Sequence, residues 1–302
     1  MTRSDARRGM VLFTVMWSIS LLSALAMAAS VTFRGFAGVM AVERSQIQAE
    51  ALLTAGLETA AVIVQTTSDS PLMEVETTAT LDTGAVRARL NDEGGRIDIG
   101  KAPVEVLASL FRFVGVPAAV AGKVAQRIVD RRSPGNATTP EYGGRPSNEA
   151  PQPPSTNQPF TDVGQLHSIP GLEPEWIAAI APLTTVFGDK TVNPLTAPPR
   201  VIAALPGVDA QRVAAFVQAR RSSPTDGDRL ARILGPAQQY VAVKPQRVAS
   251  VDLTAELASG YANTAHAVIV VLPQDSQPYR VLTWTPMPYT RASVWGRPMA
   301  QR

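Results

Sequence analysis

The stretch that decides the fold stands near the start: Arg7-Arg8-Gly9-Met10-Val11-Leu12-Phe13-Thr14-Val15-Met16-Trp17-Ser18-Ile19-Ser20-Leu21-Leu22-Ser23-Ala24-Leu25-Ala26-Met27, with no charge between Arg8 and Arg34. About 20 apolar residues suffice for a helix to cross a bilayer, so the run predicts a membrane span. Arg3, Arg7 and Arg8 precede it, and the positive-inside rule then keeps the N-terminus cytoplasmic and sends the rest of the chain across the membrane. The helical pattern continues past the span. Phe33, Phe36, Met40, Ile47, Leu53, Leu57 and Ile63 recur at helical spacings with Arg34, Glu43, Arg44, Glu50 and Glu58 between them, and no strong breaker precedes Ser68-Asp69-Ser70-Pro71. One helix over 10–66 is predicted, apolar first and amphipathic later, about 80 Å long and suited to a stalk. The competing reading is a cleaved signal peptide, for which Ala26-Met27-Ala28 offers the small residues.

The rest of the composition excludes several kinds of chemistry. The 302 residues, 45% hydrophobic and 18% charged, are too apolar for a disordered polyelectrolyte. With no cysteine there is no disulfide framework, zinc–thiolate cluster or thiol nucleophile. The two histidines, His167 and His266, have no nucleophile or clustered carboxylate near them in sequence, and no Gly-rich phosphate loop or nucleophile elbow appears. These observations argue against an enzyme.

Beyond the stalk, Leu72 to Leu81 and Ala85 to Leu90 read as a hairpin around Asp82-Thr83-Gly84, because Val86, Ala88 and Leu90 alternate with Arg87 and Arg89. Tyr240 to Val243, Val248 to Leu253, His266 to Leu272 and Tyr279 to Trp284 also read as strands, whereas Val104, Leu107, Leu110, Phe111, Val120, Val124 and Ile128 follow a helical period. The fold class is therefore α+β: a leader over 1–9, a long N-terminal helix over 10–66, an antiparallel β-domain split between 67–99 and 236–285, a helical insertion over 100–235, and a tail over 286–302. Trp176 and Trp284 read as core or interface residues. The Pro-rich stretch Ser133 to Pro159 reads as a loop.

The insertion contains an internal repeat. Ile97-Asp-Ile-Gly-Lys-Ala-Pro103, a helix, Val114-Gly-Val-Pro117, a helix and Asp130-Arg-Arg-Ser133 are echoed by Val192-Asn-Pro-Leu-Thr-Ala-Pro198, a helix, Leu205-Pro-Gly-Val-Asp209, a helix and Ala219-Arg-Arg-Ser222. Ile169-Pro-Gly-Leu-Glu173 is a partial third copy. The units, centred on Gly115, Gly171 and Gly207, resemble helix-hairpin-helix modules, many of which bind DNA. Such hairpins use a second glycine to bring bare N–H groups to a phosphate. Here Pro117, Glu173 and Asp209 occupy that position, and proline removes a donor while the carboxylates repel an anion. Without residues 1–9 the chain carries 25 basic against 24 acidic residues, a net charge of +1, which gives no basic stripe for nucleic acid. Two rival functions follow from these features, a membrane-anchored DNA-uptake receptor and a cleaved periplasmic enzyme.

Arg7-Arg8-Gly9-Met10-Val11-Leu12-Phe13 resembles the signal of type IV pilins and pseudopilins, in which a prepilin peptidase cuts after the glycine and the next residue becomes a methylated N-terminus. The resemblance implies those roles for Gly9 and Met10, and stalk packing for Thr14, Trp17, Leu21, Phe33 and Phe36. Most family members carry Glu where this chain has Thr14, and its absence is a feature of the large minor pseudopilin K of type II secretion. Asn91-Asp-Glu-Gly-Gly-Arg-Ile-Asp-Ile99, Pro159-Phe-Thr-Asp-Val-Gly-Gln-Leu166 with Ile169-Pro-Gly171, and Thr191-Val-Asn-Pro-Leu-Thr-Ala-Pro198 resemble that family's segments in its order. The resemblance implies a single-pass inner-membrane protein with a periplasmic globular part, acting in protein transport at the pseudopilus tip. Its partners would be the other minor pseudopilins, the prepilin peptidase and the inner-membrane secretion platform, with no nucleic acid. No cofactor is required. The family's acidic loop contributes to calcium binding, and the pair here that corresponds is Asp130 with Glu141, although Arg131-Arg132 stands where further acids are expected.

Overall fold

The computed structural model describes residues 3–67, 75–132, 159–243, 248–272, 275 and 277–288. In chain order they form α1 (Arg3–Thr66), β1 (Val75–Leu81), β2 (Gly84–Asp92), β3 (Ile97–Asp98), α2 (Val104–Phe113), α3 (Ala118–Arg132), α4 (Pro174–Ile180), β4 (Thr184–Thr185), α5 (Pro199–Ala203), α6 (Ala210–Ser222), α7 (Gly227–Ile233), β5 (Val248–Leu257), β6 (Ala262–Val271) and β7 (Tyr279–Met287). The α+β class expected from the sequence is the one observed.

The α1 helix is unbroken, and its two halves have different environments. In the second half Leu52, Leu53, Leu57, Ala60, Ala61 and Val64 are buried against a five-stranded antiparallel sheet of order β1-β2-β5-β6-β7. The alternation predicted for β2 supplies Val86, Ala88 and Leu90 to that core, and β5 and β6 add Val251, Leu253, Ala267 and Ile269. Each fully buried Leu, Ile or Val stabilises the contact by about 1.5–3 kcal/mol. Helix and sheet meet most closely at Gly56, where a Cβ would lie 2.6 Å from a Val86 methyl. The stretch Gly38–Thr66 is apolar and long enough to pass as a membrane span, yet 44% of an 18-residue apolar window within it is buried inside the protein. A face committed to a core is not available to lipid. Phe13–Ala28 is an uncharged, exposed apolar part of α1, which fits a membrane anchor.

Strands β2 and β5 are neighbours in register from Gly84↔Leu257 to Asp92↔Ala249, so everything between them leaves the sheet as an insertion with its own core. Its limits differ from the sequence expectation at both ends. Ile97 and Ile99 are buried in the insert's core, and β3 pairs in parallel with β4 inside the insert. At the far end Tyr240 to Val243 is no strand of the main sheet: Gly235–Tyr240 is a 3-10 turn, and Val241 makes one parallel bridge to Val192. Ala237 and Val241 are apolar enough to be drawn into the insert's core, which leaves the sheet to resume at Val248. The last strand runs to Met287, two residues beyond the expected boundary. Most of the Pro-rich loop (133–158), Glu141 and residues 289–302 of the tail lie outside the described residues.

Candidate assembly site: stalk, junction and helical insert

In α1, Thr14, Trp17, Leu21 and Phe36 are exposed. Gly9 and Met10 belong to α1, but their side chains and that of Phe33 lie outside the described residues. Ser18 Oγ donates to the Thr14 carbonyl at 2.8 Å and Ser20 Oγ to the Met16 carbonyl at 2.9 Å. These hydroxyls are satisfied within their own helix, which removes most of the cost of placing them in lipid.

The junction between sheet and insert is built from two of the segments that carried the family resemblance. Asp92 Oδ1 accepts from Gly94 N–H at 2.9 Å, and Oδ2 accepts from Thr196 Oγ1 at 2.7 Å and Asn193 Nδ2 at 3.4 Å. Asn193 N–H returns a 2.8 Å bond to the Gly94 carbonyl. Gly95 lies flat against this segment, since a Cβ there would be 2.9 Å from the Thr196 carbonyl. Burial raises the Asp92 carboxyl above its usual range, against the lowering effect of its hydrogen bonds. Glu93, also buried, pairs with Arg96 at 3.0 Å.

The internal repeat proves to be structural as well as sequential. Asp98 Oδ1 accepts from Gly100 N–H at 2.7 Å, and Asn193 Oδ1 accepts from Leu195 N–H at 3.1 Å, the same side-chain turn two residues on. Ala102 N–H bonds the Asp98 carbonyl at 2.8 Å, as Ala197 N–H bonds the Asn193 carbonyl at 3.0 Å. Each copy is closed by an arginine from the end of its second helix. Arg132 donates to the Ala102 and Ile99 carbonyls at 2.6 and 3.0 Å, and Arg220 to the Ala197 carbonyl at 2.5 Å. Partial burial lowers the pKa of both guanidinium groups. The repeated motif pairs Arg220 with Arg131, whereas the equivalent contact in the first copy is made by Arg132, one residue later.

Asp98 is buried and its carboxyl is raised by desolvation, with Lys101 acting in the opposite direction. A raised folded-state value means that its contribution to stability is full below the ordinary carboxylate range and is lost as pH rises through the folded value. Asp98→Asn introduces the residue that the second copy already uses in this turn. We expect the variant to unfold in urea within about 1 kcal/mol of wild type near pH 4, and to gain stability relative to wild type as the pH is raised toward 7. A relative loss on raising the pH would show that the Lys101 pair, at 3.6 Å, outweighs burial.

The hairpin glycines Gly115, Gly171 and Gly207 have φ of +94°, +81° and +74°, a left-handed turn that favours glycine. The turns at Gly171 and Gly207 are occupied by the protein's own arginines, whereas the space beside Gly115 is open. Arg127 Nη1 donates to the Pro170 carbonyl at 2.6 Å and would lie 2.5 Å from a Cβ on Gly171, while Arg212 Nη1 donates to the Gly207 carbonyl at 2.7 Å. Asp209 Oδ1 caps its own helix through Arg212 N–H at 2.8 Å. A phosphate at these turns would compete with internal bonds for both donors and space. Arg131 hydrogen-bonds Ser168 and lies over the Phe160 ring at 5.1 Å, which fixes the chain that re-enters after the loop.

The calcium implied by resemblance is not matched by the described donors. Asp130 is exposed, and its Oδ1 accepts from Gln126 at 2.7 Å beside Arg131 and Arg132. Among the described residues no group of three or more acidic or histidine side chains could hold a metal ion. His167 is exposed in a 3-10 turn. His266 has a partner that sequence proximity did not show, since the register of β5 and β6 places Asp252 opposite it with Nδ1···Oδ1 at 2.6 Å. This is one of several cross-strand polar pairs on the sheet face away from α1, with Arg87–Glu256 at 3.0 Å and Arg89–Glu76 at 3.3 Å. Trp176 is half-buried against the insert's core, and Trp284 is 42% exposed on β7.

A long helix packed by its second half on an antiparallel sheet defines a pilin-like protein, and the helical insertion sets this one apart from a plain pilin. Residues 88–189 match the family described as type II secretion system (T2SS), protein K. The whole fold is similar to a chain of "The Crystal Structure of the GspK-GspI-GspJ complex from enterotoxigenic Escherichia coli Type 2 Secretion System". The TM-score is 0.58 at 16% identity, over 82% of this chain and 99% of that one. No curated protein matches in sequence. The family match and the fold together support recognition as a minor pseudopilin K.

Proposed function

We propose that this protein is a K-type minor pseudopilin that works by assembly at the distal end of the pseudopilus. It is anchored once in the inner membrane with its globular part in the periplasm. The observation that carries this reading is the division of labour in α1, whose second half is buried on the sheet while Phe13, Trp17, Leu21 and Phe36 are exposed. A bare apolar rod on a folded head is incomplete alone. Its neighbours would be the other minor pseudopilins, including chains like the GspI and GspJ of the similar complex, after processing by a prepilin peptidase at the secretion platform. Outside the membrane, burial of apolar stalk area supplies about 25 cal/mol per Å² less ordering costs. Within lipid, close packing at Ser18, Ser20, Ser23, Ala24 and Ala28 has that task. The reading requires no cofactor. Arg127 and Arg212 fill the turns at Gly171 and Gly207, and Pro117, Glu173 and Asp209 stand where a phosphate-binding hairpin has glycine, which favours scaffolding over DNA uptake.

Deleting the gene should stop export of the host's type II secretion substrates, and the full chain supplied in trans should restore it. The same chain, extracted in mild detergent, should co-purify with its co-expressed I-type and J-type partners. Unchanged export after deletion would end this reading.

A further inference from the structure

Three arginines stand close together at the end of α3, and between them they collect oxygen atoms from two other segments of the insert. Arg127 Nη1 donates to the Pro170 carbonyl at 2.6 Å and Arg131 Nη1 donates to Ser168 Oγ. These two residues lie one turn apart on one face of the helix, so they grip the chain that re-enters at residue 159 at successive points. The Arg131 guanidinium also lies over the ring of Phe160, the first buried residue of that chain, and presses it toward the insert's core. Arg132, turned about 100° away, reaches the β3–α2 turn instead and donates to the Ile99 and Ala102 carbonyls at 3.0 and 2.6 Å.

Gathering oxygens from separate segments is also the structural work of a bound calcium ion, which takes about six to eight of them, several anionic. Here the gathered oxygens are neutral, and each already accepts a guanidinium N–H. The carboxylates on the flanking segments are engaged in their own elements: Asp130 Oδ1 accepts from Gln126 Nε2 at 2.7 Å, and Asp162 Oδ1 accepts from Gly164 N–H at 2.6 Å to cap its turn. Arg131 Nε is buried with no acceptor among the described residues, which leaves a spare donor where a metal would need a lone pair. A divalent cation at this place would have to displace the guanidinium groups from their oxygens and then stand beside their charge.

We propose that the arginines of α3 take the place of a divalent cation in this chain: Arg127 and Arg131 are the tie between α3 and the re-entering segment, and the insert holds its shape without calcium. A tie made of side chains is part of the folded chain and is present at every ion concentration. A calcium tie would instead add stability that rises with free calcium, because the ion would bind the folded state alone. The tie belongs to the insert and is the same whichever proteins surround it.

The test uses the full chain in mild detergent, stripped with a chelator and compared with the same sample in about 1 mM calcium chloride, a level that suits weak extracellular calcium modules. Amide hydrogen exchange is followed over residues 160–172. We expect the same exchange with and without calcium. Arg131→Ala should speed exchange over this segment about tenfold, and added calcium should not restore it. Arg127→Ala, which keeps the contact with Phe160, should act in the same direction and serves if Arg131→Ala does not fold. Slower exchange of the wild-type segment in calcium would overturn the proposal, and so would unchanged exchange in the arginine variants. The wild-type comparison decides by itself if neither variant folds.

Discussion

Gly9→Val should leave the chain uncut and at its full precursor length, whereas Ala28→Leu should mature normally. The expectation comes from the place of Gly9, directly after Arg7-Arg8 and directly before the uncharged run. A pilin-type peptidase works on the cytoplasmic side of such a run, where the basic residues are held, and needs a residue without a side chain at the cut. A signal peptidase instead reads small residues on the far side, and Ala26-Met27-Ala28 would serve it. The structure adds weight to the first alternative. Helix α1 passes through Ala28 without a break and enters the sheet's core at Ala49, so a cut near Ala28 would remove the apolar half of a helix whose other half is the core. N-terminal sequencing of the mature protein separates the two. Processing blocked by Ala28→Leu and unaffected by Gly9→Val would remove the pilin reading altogether.

The second large effect concerns position in the filament. An entering pilin commonly supplies a buried carboxylate near its N-terminus to neutralise the terminal ammonium of a neighbour, and breaking such a pair costs about 3–5 kcal/mol. This chain has Thr14 there, exposed on the bare stalk, and cannot make that contribution. We therefore expect it to begin a filament but to add poorly to one already begun. The insert points the same way, since a second folded core on the side of the sheet would crowd stacked neighbours along a shaft and is unhindered at an end. A gold-labelled probe attached to the insert should mark about one site per pseudopilus, at the distal end. Thr14→Glu should spread some label into the shaft, because the missing carboxylate is restored. Label distributed along wild-type filaments would rule the end position out.

Much of this was legible before any coordinates. The 3.6-residue period and the lack of breakers before Ser68 gave the long helix, and the alternation of Val86, Ala88 and Leu90 with arginines gave β2 and its buried face. The repeat was visible because Asp98 and Asn193 recur before Ala-Pro at equal offsets, and the Asx turn requires that residue type at that distance. Tyr240 to Val243 was misread. Its β-branched and aromatic residues suit a strand, but in a short segment the choice depends on which core lies nearer, and Val241 lies in the insert's.

The sequence by itself determined the class of protein: a charge-free run after arginines and a glycine, an amphipathic continuation, a split set of strands and a repeated helical unit, each readable within a few tens of residues. These are local periods and local turns, whose physics depends on near neighbours. The tertiary structure alone decided which distant groups meet. It closed Asp92 on Asn193 and Thr196, set His266 opposite Asp252, and turned Arg132 and Arg220 to equivalent carbonyls. Such contacts depend on strand register and on the angle at which helix crosses sheet. A one-residue slip reverses the first, and many summed packing contacts fix the second, so neither is written in any single stretch of residues.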